Sequence, residues 1–223
     1  MDLQIVMDFL KALKENNNRE WFNTNKDFYL KARKKFEELV TILIPKLGEF
    51  DEEVKYLTPS ECIYRIYRDV RFSPDKSPYK TYFGAYIAPH GGRKSILSGY
   101  YVHLEAGSCM LGGGIYCPES NVLKKIRQSV FENYDELEEI LNNSQFISVF
   151  GKMYSDESLK KAPAGFPADF KGMEYLKFKH FLASHFLSDS AVLKEDLTVY
   201  APKVFKAMVP FSRFFNEILV ENY

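Results

Sequence analysis

Apolar side chains recur at helical spacing near both ends of this chain and alternate in its middle. Leu3, Val6, Met7, Leu10 and Leu13 predict a first helix over 3–13 with Asp2 placed to cap it, and Asn16-Asn17-Asn18 then interrupts the pattern. Trp21, Phe28, Ala32, Phe36, Leu39, Val40, Leu43 and Leu47 predict a long amphipathic helix over 19–44, which Pro45 and Gly48 end or kink. From Glu61 the period becomes two, predicting strands over 62–67 and 81–88. Pro89-His90-Gly91-Gly92 reads as a hairpin turn into a third strand over 97–105, with Tyr100, Val102 and Leu104 on one face and Tyr101, His103 and Glu105 on the other. Ala106-Gly107-Ser108 turns the chain into a glycine-rich fourth strand over 109–117.

After Pro118, the spacing of Leu123, Ile126, Val130, Tyr134, Leu137 and Leu141 predicts two helices. Residues 151–171, rich in Pro, Gly, Lys and Ser, read as a long surface loop. A fifth strand is predicted over 178–187, and terminal helix over 193–220 with breaks at Pro202 and Pro210. The short links between strands require antiparallel pairing, because parallel strands need long crossovers. The fold class is therefore α+β: an antiparallel sheet of about four to six strands flanked by N-terminal and C-terminal helices. Residues 1–223 read as a single domain, with N-terminal helices over 1–48, a sheet region over 60–117 and a helical and loop region over 118–223.

Composition narrows the function classes. The chain is 46% hydrophobic and 16% aromatic, enough to build a core without disulfides or metals. Thirty basic residues against thirty acidic ones leave no global field, which argues against nucleic acid or an anionic membrane as partner. Cys62, Cys109 and Cys117 lack metal-site spacing and read as small core residues in a reducing compartment. The start has no basic and apolar leader pattern, and no apolar run approaches the roughly 20 residues of a membrane span, so a cytoplasmic protein is expected.

One segment departs from this balance. Residues 65–80 hold Arg65, Arg68, Arg71, Lys76 and Lys80 against Asp69 and Asp75. Continued as a strand, the segment places Arg65, Asp69 and Arg71 on one face and Arg68 on the other. Guanidinium forks suit carboxylate or phosphate, and Asp69 is placed to fix one arginine by a bidentate pair. Ser73-Pro74 and Ser77-Pro78 each signal a tight turn or a single helical turn, with Lys76, Tyr79 and Lys80 forming an opposite wall. The alternative is an internal Arg and Asp network that fastens the loop to the sheet.

The same stretch reads R-x-x-R-D-x-R-F-x-x-x-D-K-x-x-Y, and with it the chain resembles a widespread bacterial family of conserved hypothetical proteins, a domain of unknown function. The likeness extends over Phe9-Leu10, Leu13, Asn16-Asn17 and Arg19-Glu20-Trp21-Phe22, over 100–105, over Gly112-Gly113-Gly114, Tyr116 and Pro118, and over Pro163, Gly165 and Phe166. The resemblance implies no catalytic residue. It implies an acidic residue followed by His-Pro after the Pro-x-Gly turn, whereas here Asp169 precedes Phe170-Lys171.

Other motifs carry less. Gly112-Gly113-Gly114 lies in a strand, so a bulge or a tight crossing fits better than a phosphate loop. His90-Gly91-Gly92 has no accompanying G-x-S-x-G, and the serine-x-x-lysine spacings at Ser73, Ser77 and Ser158 lack the motifs that would give them meaning. His180 and His185 read as satisfied histidines near a strand, and Trp21 as an anchor between helices.

The sequence thus leads to a pocket for a small anionic metabolite bearing phosphate or carboxylate. Its ligand-binding candidates are Arg65, Arg68, Asp69, Arg71, Asp75, Lys76 and Tyr79, and its acid-base pair, if it catalyses, is His103 with Glu105. The alternative is a noncatalytic protein-interaction module in which the charged segment is scaffolding. The residues name no cofactor and no metal set, and leave the oligomeric state open.

Overall fold

A computed structural model describes residues 1–220. Four strands form one antiparallel sheet in the order β1 (Tyr82–Ile87), β2 (Gly99–Glu105), β3 (Cys109–Ile115) and β4 (Phe181–Leu187). The helices are α1 (Gln4–Glu15), α2 (Arg19–Thr24), α3 (Lys26–Leu47), α4 (Pro59–Cys62), α5 (Ser120–Glu132), α6 (Tyr134–Asn142), α7 (Ser144–Phe150), α8 (Met173–Lys177), α9 (Asp189–Lys194), α10 (Leu197–Lys206) and α11 (Val209–Val220). The architecture is α+β, with helices at both ends of the described chain.

Alternation gives the sheet two unlike faces. Phe83, Ala85, Ile87, Tyr100, Val102, Leu104, Leu111, Phe181 and Ala183 are buried on the inner face. There Phe36 of α3 and Phe9 of α1 meet Phe83, Phe205 of α10 meets Tyr100, and Phe215 of α11 meets Phe181. One contiguous buried cluster runs from Leu3 to Leu219. The outer face carries Tyr82, Tyr101, His103, Glu105 and Ser184.

The triple glycine marks a tight crossing. Gly114 has φ +116°, and a side chain there would strike the Phe181 carbonyl. A side chain at Gly113 would overlap both the Gly99 carbonyl and Met208.

Several expectations need correction. The strand over 62–67 is replaced by α4 followed by extended chain that meets the sheet at one isolated bridge, Ile63 with Ala85, while Tyr67 bridges Tyr79 inside the following loop. A capping box of Thr58 and Glu61 with Pro59 at the helix start takes Cys62 into a helical turn. The predicted helix over 19–44 is two helices meeting at Asn25, whose side-chain amide donates to the Trp21 carbonyl at 2.9 Å. Pro45 does not break α3, which runs on to Leu47.

The terminal helix breaks after α9 and after α10, not at its prolines. Pro210 falls in the first turn of α11, where no N–H is needed, and Pro202 lies inside α10. Cys62 and Cys109 are buried, but Cys117 is exposed at a positive φ of 50°. Helix α7 precedes the long irregular stretch, which otherwise follows the predicted loop.

Candidate functional site

Residues 65–80 leave the sheet and return to it as a closed loop. Arg68 N–H donates to the Pro78 carbonyl at 3.0 Å and Lys80 N–H to the Ile66 carbonyl at 2.8 Å. Tyr79 anchors the return: its ring stacks on Phe22 at 3.9 Å and 13°, and the Asn17 side chain both donates to its carbonyl (2.9 Å) and accepts its N–H (3.1 Å).

Inside the loop most charges find partners. Arg68 forms an ion pair with Asp75 and donates to the Ser77 carbonyl (3.2 Å) and the Ser73 hydroxyl (3.3 Å). Arg71 binds Asp69 with both arms of its fork, at 2.9 and 2.6 Å, which is the bidentate pair anticipated for Asp69. Lys76 donates to the Val70 carbonyl at 3.0 Å. The Ser77 hydroxyl and N–H, then Arg68, hold the Asp75 carboxyl far below the usual carboxylate range, and Arg71 does the same, less strongly, to Asp69. Bends carry the two Ser-Pro pairs, with no helical turn. Arg65 stands exposed, without a hydrogen-bond or ion-pair partner among the described residues.

A cleft of about 520 Å³ opens beside this loop. Lys14 and Asn17 form one wall, Arg68, Asp69 and Asp75 the loop side, and Lys80, Thr81 and Tyr82 the entry to β1. Of the sequence-predicted ligand residues, Arg68, Asp69, Asp75 and Tyr79 line it; Arg65, Arg71 and Lys76 do not. Sequence reasoning missed Lys14 and Thr81 as site residues, and read Asn17 as an interruption of helical spacing and as part of the family likeness. Lys80 is half-buried, its ammonium 5.1 Å from the Tyr64 ring centroid and 5.7 Å from that of Tyr82. Burial, then Arg65, lowers its pKa, and no carboxylate among the described residues pairs with it.

His103 and Glu105 lie just behind that wall, on the outer face of β2. Tyr101 Oη is 2.9 Å from His103 Nδ1, His103 Nε2 is 3.3 Å from Glu105 Oε2, and the Thr81 hydroxyl donates to Glu105 Oε1 at 2.6 Å. The Tyr82 ring packs on the imidazole with centroids 4.4 Å apart. Gly84, opposite His103 in the register, keeps space open, since a side chain there would come within 2.9 Å of the Tyr101 hydroxyl. Burial holds His103 below the usual histidine range and outweighs the Glu105 hydrogen bond, which pulls the other way. Burial pushes the Tyr101 hydroxyl far above its ordinary value.

His180 and His185 are satisfied, as expected. His185 bonds the Val149 carbonyl (2.8 Å) and the Tyr200 hydroxyl (2.7 Å), and His180 Nδ1 accepts the Cys117 N–H at 2.9 Å. Among the described residues no three metal-ligating side chains converge, and no helix is long and apolar enough to cross a membrane.

A four-stranded antiparallel sheet with helices at both ends and a charged loop leading into its first strand defines an α+β protein of unknown function. Residues 5–214 match the family described as conserved hypothetical protein (DUF2461), and the chain belongs to that family. No curated protein and no solved structure matches it.

Proposed function

We propose that the cleft beside the 65–80 loop binds a small anionic ligand, a phosphate- or carboxylate-bearing metabolite, in a cytoplasmic protein whose residues 1–223 form one folding unit. The observation that carries this reading is Lys80: a half-buried ammonium on the cleft wall, resting over two tyrosine rings with no carboxylate among the described residues to neutralise it. Desolvating a cation without a partner is costly, and an entering anion offsets that cost. Lys14 reaches the same cleft, and Arg65 adds positive charge near Lys80. Arg68 and Arg71 spend their charge on Asp75 and Asp69, so their part is to hold the rim in shape.

Calorimetric titration with inorganic phosphate and with citrate tests this reading. The wild type binds at least one of them, more weakly as salt rises, and Lys80→Met lowers that affinity at least ~10-fold. Binding of neither anion, or a Lys80→Met protein that binds as the parent does, overturns it.

A second reading, a surface for a protein partner, rests on Phe72, which is 94% exposed at the loop tip with the Arg71 guanidinium 5.8 Å from its ring centroid. Aromatic and arginine side chains dominate interface energetics. Cross-linking at position 70 in cell extract, with and without Phe72→Ala, separates the two: a partner lost on substitution supports the surface, and no adduct in either protein sinks it.

A further inference from the structure

Three side chains on the outer face of β2, with Thr81 just before β1, form a hydrogen-bond chain whose direction is fixed by chemistry. Glu105, as a carboxylate, only accepts. His103 Nε2 therefore carries the proton it donates to Glu105 Oε2, and in the neutral ring Nδ1 accepts from the Tyr101 hydroxyl. From the other side the Thr81 hydroxyl spends its single proton on Glu105 Oε1 at 2.6 Å. Thr81 also lines the cleft, next to Lys80. With that proton committed, the Thr81 hydroxyl can only accept from a further partner.

From this we infer that the ligand of the cleft is a hydroxylated anion, such as a phosphorylated alcohol or a hydroxy acid, whose hydroxyl donates to Thr81 Oγ1 while its anionic group faces Lys80. The inference rests on the anion-binding reading above and adds the chemical class. An anion without a donor would leave the Thr81 lone pairs dry on binding, a penalty that a ligand hydroxyl removes. Thr81 is thus a specificity-determining residue. His103 and Tyr101 are positioning residues: they hold the Glu105 carboxylate where it fixes the Thr81 proton.

The test compares glycerol 3-phosphate with n-propyl phosphate, which has a similar reach and the same charge but no hydroxyl, by titration calorimetry on the full chain. The wild type prefers glycerol 3-phosphate about 10-fold, and in Thr81→Val the ratio falls to about one. In Glu105→Gln the Thr81 proton is no longer forced inward by a charge, and the preference shrinks in the same direction. Nitrogen chemical shifts of His103 report the Nε2–H tautomer at neutral pH in the wild type. Equal affinities for the two probes in the wild type, a preference that survives in Thr81→Val, or an Nδ1–H tautomer would each overturn the hydroxyl assignment while leaving the anion site standing. Binding of neither probe by a protein that also binds neither inorganic phosphate nor citrate overturns both.

Discussion

The Lys46 ammonium donates to the Thr198 carbonyl at 2.7 Å, across the packed pair of helices α3 and α10. That carbonyl lies four residues before Pro202, so it is the one that Pro202, having no N–H, leaves without its helical donor. A lysine from another helix supplies the missing hydrogen bond, which explains why α10 passes through its proline unbroken.

Removing that donor strands a partly buried carbonyl. Lys46→Met is expected to destabilise the fold by about 1–3 kcal/mol in chemical denaturation. In a Pro202→Ala background, where the backbone N–H returns, the same substitution should cost less than half as much. Equal losses in both backgrounds would show that the two residues are not coupled.

Arg68 holds the loop it starts. Arg68→Ala is expected to raise the rate of limited proteolysis within 69–77 by about 10-fold, with little change in global stability, because the ion pair is partly exposed. Unchanged cleavage would mean that the Asn17 and Tyr79 clamp suffices alone.

Asp75 should remain ionised after other carboxylates have protonated. Its folded pKa is depressed, so the loop order it supports is present above the unfolded value of about 3.9 and is lost as pH falls through the folded value. Carboxyl carbon shifts followed by NMR should show Asp75 titrating after the other aspartates on acidification. Ser77→Ala and Arg68→Ala should each raise its midpoint, since the Ser77 hydroxyl and the Arg68 guanidinium both stabilise the carboxylate.

His103 also loses its stabilising contribution to acid, but in a higher pH window than Asp75. Its folded pKa lies below the unfolded value of about 6.5, so the unfolded chain binds the proton more readily. Stability contributed by the neutral ring is intact above that unfolded value, and declines as pH drops from there through the folded pKa. The melting temperature should fall more between pH 7 and pH 5 for the wild type than for His103→Gln. Glu105→Gln should lower the His103 midpoint further, because it removes the group that favours the charged ring. A steeper decline in His103→Gln than in the wild type would refute the account.

Residues 1–223 are expected to melt in one cooperative calorimetric transition, because a single buried cluster joins both helical ends to the sheet. Two separated transitions would divide the chain into independent units.

What the sequence revealed was what is local. The alternation of Tyr100 to Glu105 and the spacing of Leu3 to Leu13 mark β2 and α1 because burial of one face imposes those periods. The 62–67 stretch looked like a strand for the same reason, yet the Thr58–Glu61 capping box, a four-residue signal, draws its first residue, Cys62, into a helical turn. The cleft was only partly legible. The charge density at 65–80 located the loop, but which cations stay unpaired depends on side-chain geometry that residue order does not carry: Arg68 finds Asp75, and Lys80 finds no acid among the described residues. Lys14 and Asn17 join the site through contacts with chain some 60 residues away, as the Asn17 to Tyr79 pair shows. A signal for Thr81 did exist. With Tyr82 paired to Glu105 in the first hairpin, the residue just before the strand falls within reach of that carboxylate.

The neighbouring strands β3 and β4 are separated in sequence by residues 116–180, which carry α5 to α8. A ribosome must therefore release that whole excursion before the last edge of the sheet exists. Until then β3 offers an open, glycine-rich border to any passing strand, and closing so long a loop is slow compared with forming the hairpins that precede it. During synthesis, the nascent chain is most vulnerable to mispairing in that interval.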